Sequence, residues 1–594
     1  MNIRLDTMKK GLIIGLSAGF LCASCNDLLE PENDGRSTIP KVFATKTGIG
    51  LYRNTCYRYV PTAHYNRSAL CDDAQEADGN FANSLYSYWY GNAYNASFFQ
   101  ATDGNPWGNY FEGIRKCNIF LANIRHVVAE DVMFTEAEVS RMYAEAYTLR
   151  ALYYLQLIKR YGDVPIITEA YDIEHDYGAD RREPFGKVVR QILADCDSAL
   201  ARPDVQRGFS WNVFYGEAGI MTRAIAHAIK SQAVTYAVSP LWNDGSFTLE
   251  EAVKINGDAL YQCLSHGYEL FTDKPKQDIA QNTYALYFIT RPDEQRAYDK
   301  ETIYGGTAVE VWSGAGMPST PGQLKAGPCP TQELVDSYEM LATGEPPITG
   351  YRDEQHLDPV INAASGYDPE NPYEGRDPRF YATIYYNGAP RTLPADGAPT
   401  VNTCAGAPDG ITAADRRTTR TGYYLRKYNN WKSDRDNNVD GAVRLLRMAE
   451  IYLNFAETAY QLHGPDVEIE IGRNYRISAR GAVDAVRERA GMKPFPAGLS
   501  KEAFEKKYRN ERRVELAFEE HRFFDVRRWN ILGETEHYLT GMSIAPNGAG
   551  FTYTRIGFER ASWGDKYYLY PLPQNEAIKM RTHTGVNWQN PGWE

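Results

Sequence analysis

The sequence predicts a mainly α-helical protein in which paired amphipathic helices support a loop-rich, irregular half. Three observations carry this. Apolar residues recur at three-four spacing, as at Leu149, Leu152, Tyr153 and Leu157, which puts them on one helix face. Alanine recurs where helices would cross, at Ala224, Ala226, Ala228, Ala449, Ala456 and Ala459. In two stretches, about 64–106 and 272–440, the helical periodicity fades and Pro, Gly, Asp and Asn rise, as in Pro328-Cys329-Pro330 and Glu345-Pro346-Pro347.

Taken in order, the helical segments fall into pairs: 139–161 with 185–200, 220–238 with 249–265, and 443–462 with 479–490. A last charged helix is expected over Lys501–Trp529. Gly162 and Pro165 stop the first of these helices. Asp440 reads as a cap for the helix that starts near Val443. Amphipathic pairs with small residues at their crossings suggest tetratricopeptide-like units. The body is one unit over 41–594, with helical repeats mainly in 41–63, 107–270 and 442–530. Long irregular inserts on a helical scaffold are where binding residues concentrate.

The N-terminus sets the compartment. Met8-Lys9-Lys10 is a basic lead, Gly11 to Leu21 an apolar run too short to span a bilayer, and Cys22-Ala23-Ser24-Cys25 closes it. This resembles a bacterial lipobox, with residues 1–24 removed as a signal peptide and Cys25 carrying lipid. The sequence departs from the usual pattern in having Cys22 where Leu is common, and plain secretion is the alternative. Residues 25–40, with Asp27, Glu30, Pro31, Glu32 and Asp34, read as a lipid-anchored tether from a membrane surface.

Composition narrows the function. A net charge of −12 over 594 residues argues against nucleic acid as a partner, because phosphate binding needs clustered Lys and Arg. The 43 Tyr and 10 Trp suit interfaces and sugar rings alike. Seven cysteines remain after Cys22 and Cys25, at wide spacings and without C-x-x-C. They read as buried thiols, with Cys56–Cys71 the nearest pair for a disulfide.

No catalytic or metal motif survives inspection, so no cofactor is expected. Gly15-Leu16-Ser17-Ala18-Gly19 matches a nucleophile elbow but lies in the signal peptide. Asp436 to Gly441 matches half an EF-hand loop, yet Arg447 stands where a bidentate Glu is needed; only a loose calcium site at Asp434, Asp436 or Asp440 would remain. Glu511, Arg512, Arg513, Glu515, Asp525 and Arg527 read as an ion-pair lattice along one helix rather than as acid–base machinery.

Several segments together resemble the SusD/RagB family. They are Trp107 to Asn123, Glu145 to Tyr154 with Tyr161-Gly162-Asp163-Val164-Pro165, Arg376-Asp377-Pro378-Arg379, Leu446 to Glu457, Val486 to Met492, Glu511 to Glu519, Tyr570 to Gln574 and Gln589 to Trp593. Cys25-Asn26-Asp27-Leu28-Leu29 is similar to the start of mature members. The resemblance implies a SusD-like fold with four tetratricopeptide-like helix pairs. It implies a surface-exposed outer-membrane lipoprotein that captures oligosaccharides, or in some members peptides, for a SusC-like TonB-dependent transporter. Members are not enzymes. Sugars pack C–H groups on aromatic faces and need polar partners for hydroxyls. The regions matching the family's binding loops hold Asp72, Asp73, Trp89, Tyr90 and Tyr94, then Tyr287, Arg291 and Trp312, the candidates for glycan contact, with Trp89 and Trp312 foremost. A peptide-capturing relative, a surface glycan-active enzyme and a bare helical-repeat scaffold are the alternatives.

Overall fold

The computed structural model describes residues 38–62, 65–77, 85–97, 104–127, 134–211, 219–274, 282–289, 299–305, 308–309, 326–395, 398–413, 417–429 and 441–594. The fold is mainly helical. Eleven helices organise it: α1 Lys46–Cys56, α2 Pro106–Val127, α3 Glu136–Tyr161, α4 Phe185–Leu200, α5 Arg223–Ala237, α6 Leu249–Ser265, α7 Met448–His463, α8 Ala479–Ala490, α9 Lys501–Glu515, α10 His521–Arg528 and α11 Gln574–Thr584. No helix among the described residues is long and apolar enough to cross a membrane.

Local chemistry fixes the helix ends. Thr135 and Glu138 form a capping box at the start of α3, and Thr248 and Glu251 form another at α6. Thr222, Ser478 and Ser500 cap α5, α8 and α9 through their side-chain oxygens. Gly162 ends α3 at φ +72°, a conformation that costs a residue with a Cβ. In α4 the buried Phe185, Val188, Val189, Ile192, Cys196 and Ala199 form a continuous apolar stripe.

Each helix packs on the next. α1 lies on α2 and α3, α2 on α3, α3 on α4, α4 on α5, and α5 on α6. α6 then packs on α7, which also meets α8 and α9, although 182 residues separate α6 from α7 in sequence. The helical stack is therefore continuous, and the irregular region is an insertion into it. Close approach is built in: a Cβ on Gly113 of α2 would stand 2.5 Å from the Tyr153 ring of α3.

The insertion has its own core, in which Tyr284, Phe288, Tyr338, Phe380, Tyr423 and Tyr428 pack together, distinct from the core of the helical stack. Buried charges bind the two halves. Arg379 Nη1 donates to Glu511 Oε1 (2.5 Å) and Glu515 Oε2 (3.0 Å), and Arg379 also pairs with Asp377 (2.7 Å). Arg447 reaches Glu301 (2.8 Å), Glu515 (2.7 Å) and Glu519 (2.7 Å). Arg489 bridges Glu301 (2.7 Å) and Glu515, and Arg487 bridges Glu339 and Glu511 (both 2.7 Å). Burial pushes the Glu515 carboxyl up, but Arg489, Arg447 and Arg379 outweigh it and hold the group at about 2.

Three expectations change. The helix expected over Lys501–Trp529 is two helices, broken at 516–520, where Phe518 (φ +60°) and Glu520 (φ +71°) turn left-handed. The break is held from the insertion: Lys427 Nζ donates to Ala517 O and Glu519 Oε1 (both 2.6 Å), and Tyr428 Oη to Phe518 O (2.8 Å). α7 begins at Met448 rather than near Val443, because Leu446–Arg447 is extended and pairs with Thr302–Tyr304. Asp440, Asp434 and Asp436 lie outside the described residues. The seven cysteines from Cys56 to Cys404 are all buried and free; Cys56 Sγ faces Tyr52 O and Cys71 Sγ faces Ser68 O, so the Cys56–Cys71 disulfide does not form.

A charge removed from this network leaves its partners buried and unpaired, which costs about 3–5 kcal/mol. Glu515→Ala should lower the stability read from urea unfolding by that order. Glu505→Ala, which deletes a partly exposed pair with Arg509, should change it by less than about 1 kcal/mol.

Candidate functional site

The two irregular regions that are far apart in sequence meet in one place. Strand β1 (Ala74–Glu76) pairs antiparallel with β2 (Pro328–Pro330), in the register Ala74↔Pro330, Gln75↔Cys329 and Glu76↔Pro328. The clip continues on both sides. Ala77 N donates to Gly327 O (3.0 Å), Thr331 N to Asp73 O (3.0 Å) and Thr331 Oγ1 to Asp72 O (2.6 Å). Arg560, which follows the long hairpin of β3 (Tyr538–Asn547) and β4 (Gly550–Glu559), donates to Cys71 O (2.9 Å) and Ala74 O (2.6 Å). A second short pairing, Ala308–Val309 with Gly441–Ala442, ties the two ends of the insertion together.

The carboxylates of Asp72 and Asp73 are engaged within the protein. Both are buried and form ion pairs with α9 and α10: Asp73 with Arg513 (2.8 Å), Asp72 with Arg513 (3.0 Å) and Arg522 (2.7 Å). Burial raises the Asp72 carboxyl, but Arg513 and Arg522 bring it down to about 2. Beside them the buried Glu536 accepts from Asp72 N (3.0 Å) with one oxygen. Its other oxygen makes no hydrogen bond and stands 3.6 Å from Arg560 Nη1. Burial, reinforced by the Asp72 charge, pushes the Glu536 carboxyl up to about 8.

A cleft of about 590 Å³ opens over this pair, between the insertion and α9; Asp72, Arg513, Arg522, Lys506, Tyr351 and His356 line it. The Tyr351 and His356 rings stack at 4.1 Å, and His356 Nδ1 lies 3.2 Å from Glu333 Oε1. Arg513 and Arg522 meet Asp72 and Asp73 through Nε and Nη2; among the described residues neither Nη1 has a partner. Such a wall can orient a polar ligand by hydrogen bonds. Among the described residues no group of His, Cys, Asp and Glu is arranged to hold a metal ion.

The aromatic candidates are placed differently from the expectation. Trp89 is 1% exposed, in the short helix Leu85–Tyr90, with its ring edge-on to Tyr567 (4.8 Å) and Tyr94 (5.7 Å). A ring so enclosed offers no face to a sugar, which corrects its assignment as a platform. Tyr94 is buried with it. Tyr90 is structural: its hydroxyl accepts from Glu76 N (3.0 Å) and donates to Ala69 O (2.9 Å), under the Arg560 guanidinium (4.3 Å). Tyr287 is fully buried, its hydroxyl 2.8 Å from Thr302 Oγ1 and its ring 4.0 Å from Arg444. Arg291 and Trp312 lie outside the described residues. Tyr351, His356 and Arg522 were not among the sequence candidates; Arg513 was read only as part of a lattice. Their convergence on Asp72 spans 441 residues or more from Asp72 to Arg513 and Arg522, beyond any spacing rule.

Known proteins agree with this architecture. Residues 287–593 match the SusD family, and residues 27–202 match a family described as starch-binding associating with outer membrane. A SusD-like protein from Bacteroides fragilis NCTC 9343 is similar at 26% identity and a TM-score of 0.73, covering 93% of this chain and 98% of that one. A SusD-like carbohydrate binding protein from the same strain aligns at 21% identity and a TM-score of 0.64, over 91% of this chain and 99% of its own. Surface glycan-binding protein A from Bacteroides fluxus aligns at 19% identity and a TM-score of 0.57, over 92% and 99%. No curated protein matches. The chain belongs to the SusD family, whose descriptions are of carbohydrate binding and outer-membrane association.

Glu536 supplies a pH test. A carboxyl raised from 4.5 to about 8 binds its proton more tightly in the folded state. Its favourable contribution is complete below pH 4.5 and is lost as pH rises towards about 8. Glu536→Gln keeps the neutral shape. Thermal melts should therefore show the variant gaining on the parent chain steadily between those two pH values, with no gain at the acid end.

Proposed function

We propose that this chain is a lipid-anchored surface protein that captures oligosaccharides and passes them to a SusC-like TonB-dependent transporter in the outer membrane, without acting on them as an enzyme. Cys25 is the anchor, and the consecutively packed helices act as tetratricopeptide-like supports. The observation that carries the reading is the β1–β2 clip, which brings the two aromatic-bearing irregular regions of a SusD-family chain to one junction. In sequence, segments 78–84 and 310–325 flank the two strands of that clip, and Trp312 and Arg291 are the residues proposed to contact sugar. The glycan-binding descriptions of the similar proteins support the ligand class.

A peptide-capturing role is the second reading. It is favoured by the charged lining of the 590 Å³ cleft, where guanidinium and carboxylate groups outnumber open rings.

The test is binding of the soluble chain, begun after Cys25, to separate panels of glycans and peptides by affinity electrophoresis and calorimetry. Glycan retention that disappears in Trp312→Ala, with thermal stability unchanged, is the expected result. Trp89→Ala should behave oppositely, losing about 3–5 kcal/mol of stability through its cavity rather than a specific contact. Peptide binding with silence across the glycans would replace the first reading by the second.

A further inference from the structure

On the helical side of the molecule, away from the clip, a groove of about 350 Å³ is enclosed by three segments distant in sequence: the start of α2, the loop between α3 and α4, and α11 with the C-terminal residues. Its floor is apolar, formed by Trp107, Phe111, Ile114, Ile167, Met580 and Trp588. These rings are already committed. Trp107 meets Tyr161 edge-on (5.0 Å) and Phe111 at 4.9 Å, and Trp588 is buried. On the wall, one face of Tyr171 is covered by His175, 3.4 Å away and nearly parallel. An aliphatic or aromatic side chain could fill this floor.

The rim is acidic. The loop from Glu169 to Asp180 carries Glu169, Asp172, Glu174, Asp176 and Asp180 and no Lys or Arg. On the facing walls Glu112 of α2 pairs with Lys116 (2.9 Å) and Glu576 of α11 with Lys579, so the uncompensated negative charge comes from the loop. The two cations that line the groove are occupied: Arg115 Nη1 donates to Tyr171 O (2.6 Å), and Lys579 pairs with Glu576 (2.6 Å) over the Tyr177 ring (5.2 Å). On the same loop and helix, outside the groove's lining, two isoleucines stand in solvent, Ile173 (100% exposed) and Ile578 (59% exposed). The loop and α11 touch through Tyr177 and His583, with ring centroids 5.4 Å apart. An apolar floor beneath a rim of net negative charge marks a protein-binding surface.

Charge selects the occupant. The chain's own segment 26–37 carries Asp27, Glu30, Glu32 and Asp34 against a single Arg36, and the rim repels it. A second copy, at net charge −12, is repelled likewise, as is an anionic lipid surface. We propose that this groove docks an extended basic segment of another protein, with an apolar side chain seated between Trp107 and Met580 and Lys or Arg residues on the Glu169–Asp180 rim. This surface is separate from the sugar junction and does not depend on the ligand captured there.

The test uses the soluble chain and a labelled peptide of alternating lysine and leucine around one tryptophan, compared with its counterpart in which glutamate replaces lysine. Fluorescence anisotropy should show binding of the basic peptide only, weakening as salt is raised. Ile173→Ser combined with Ile578→Ser, which removes apolar surface without adding charge, should weaken it about tenfold. Glu112→Lys with Glu169→Lys should shift preference towards the acidic peptide. A photo-crosslinker at position 575, an exposed residue that lines the groove, should label the bound peptide. All four positions are at the surface, so unchanged melting temperatures show that folding is intact. Equal binding of both peptides, indifference to the variants, or no crosslink at 575 would overturn the proposal. So would a dimer in sedimentation that dissociates in the isoleucine variant, which would assign the face to a second copy.

Discussion

Glu511, Arg512, Arg513 and Glu515 lie within a turn and a half of α9, and between them they face three different parts of the molecule. Successive residues of a helix point about 100° apart. Glu511 and Glu515 therefore share a face, and that face meets Arg379, Arg447, Arg487 and Arg489. Arg512 points to the helical stack, where it reaches Asp525 (2.8 Å) and Asn454 (2.9 Å). Arg513 points to the clip, where it reaches Asp72 and Asp73. The position of the insertion, the kink into α10 and the location of β1 all follow from this one turn.

Apolar residues of similar volume could fill this seam at no loss of stability, because desolvation of buried charges consumes much of their mutual attraction. What charges add is direction. A guanidinium fork meets carboxylates at fixed angles, so each pair accepts one relative placement of the two halves. An insertion between α6 and α7 whose own core is separate from the helical core needs such a constraint. The left-handed residues Phe518 and Glu520 show its strength, since that backbone costs about 1–3 kcal/mol per residue and persists under the grip of Lys427 and Tyr428.

The helices were legible because their signals are local. Phe185–Leu200, Leu249–Ser265 and Ala479–Ala490 follow from apolar spacing and caps alone, and the structure reproduces those bounds. The family segments were also legible, and four of them, around Arg379, Arg447, Arg487 and Glu515, turn out to be the parts of one network. The partners were not legible. The charges on α9 read as a lattice along one helix because i, i+4 spacing is all a sequence offers, whereas most of their partners lie on other elements. Trp89 misled for a related reason: an irregular flank suggests an exposed loop, but the rings that enclose it, Phe523 and Tyr567, come from the far end of the chain.

Hydrogen exchange, followed peptide by peptide in Arg513→Met, tests the hinge role of α9 most directly. That substitution keeps much of the side chain's volume while releasing Asp72 and Asp73 from one partner. The prediction is a loss of protection across residues 70–77 and 327–331, with α3 and α4 as slow to exchange as in the parent chain. Uniform loss throughout the helical stack, or unchanged protection at the clip, would contradict the account.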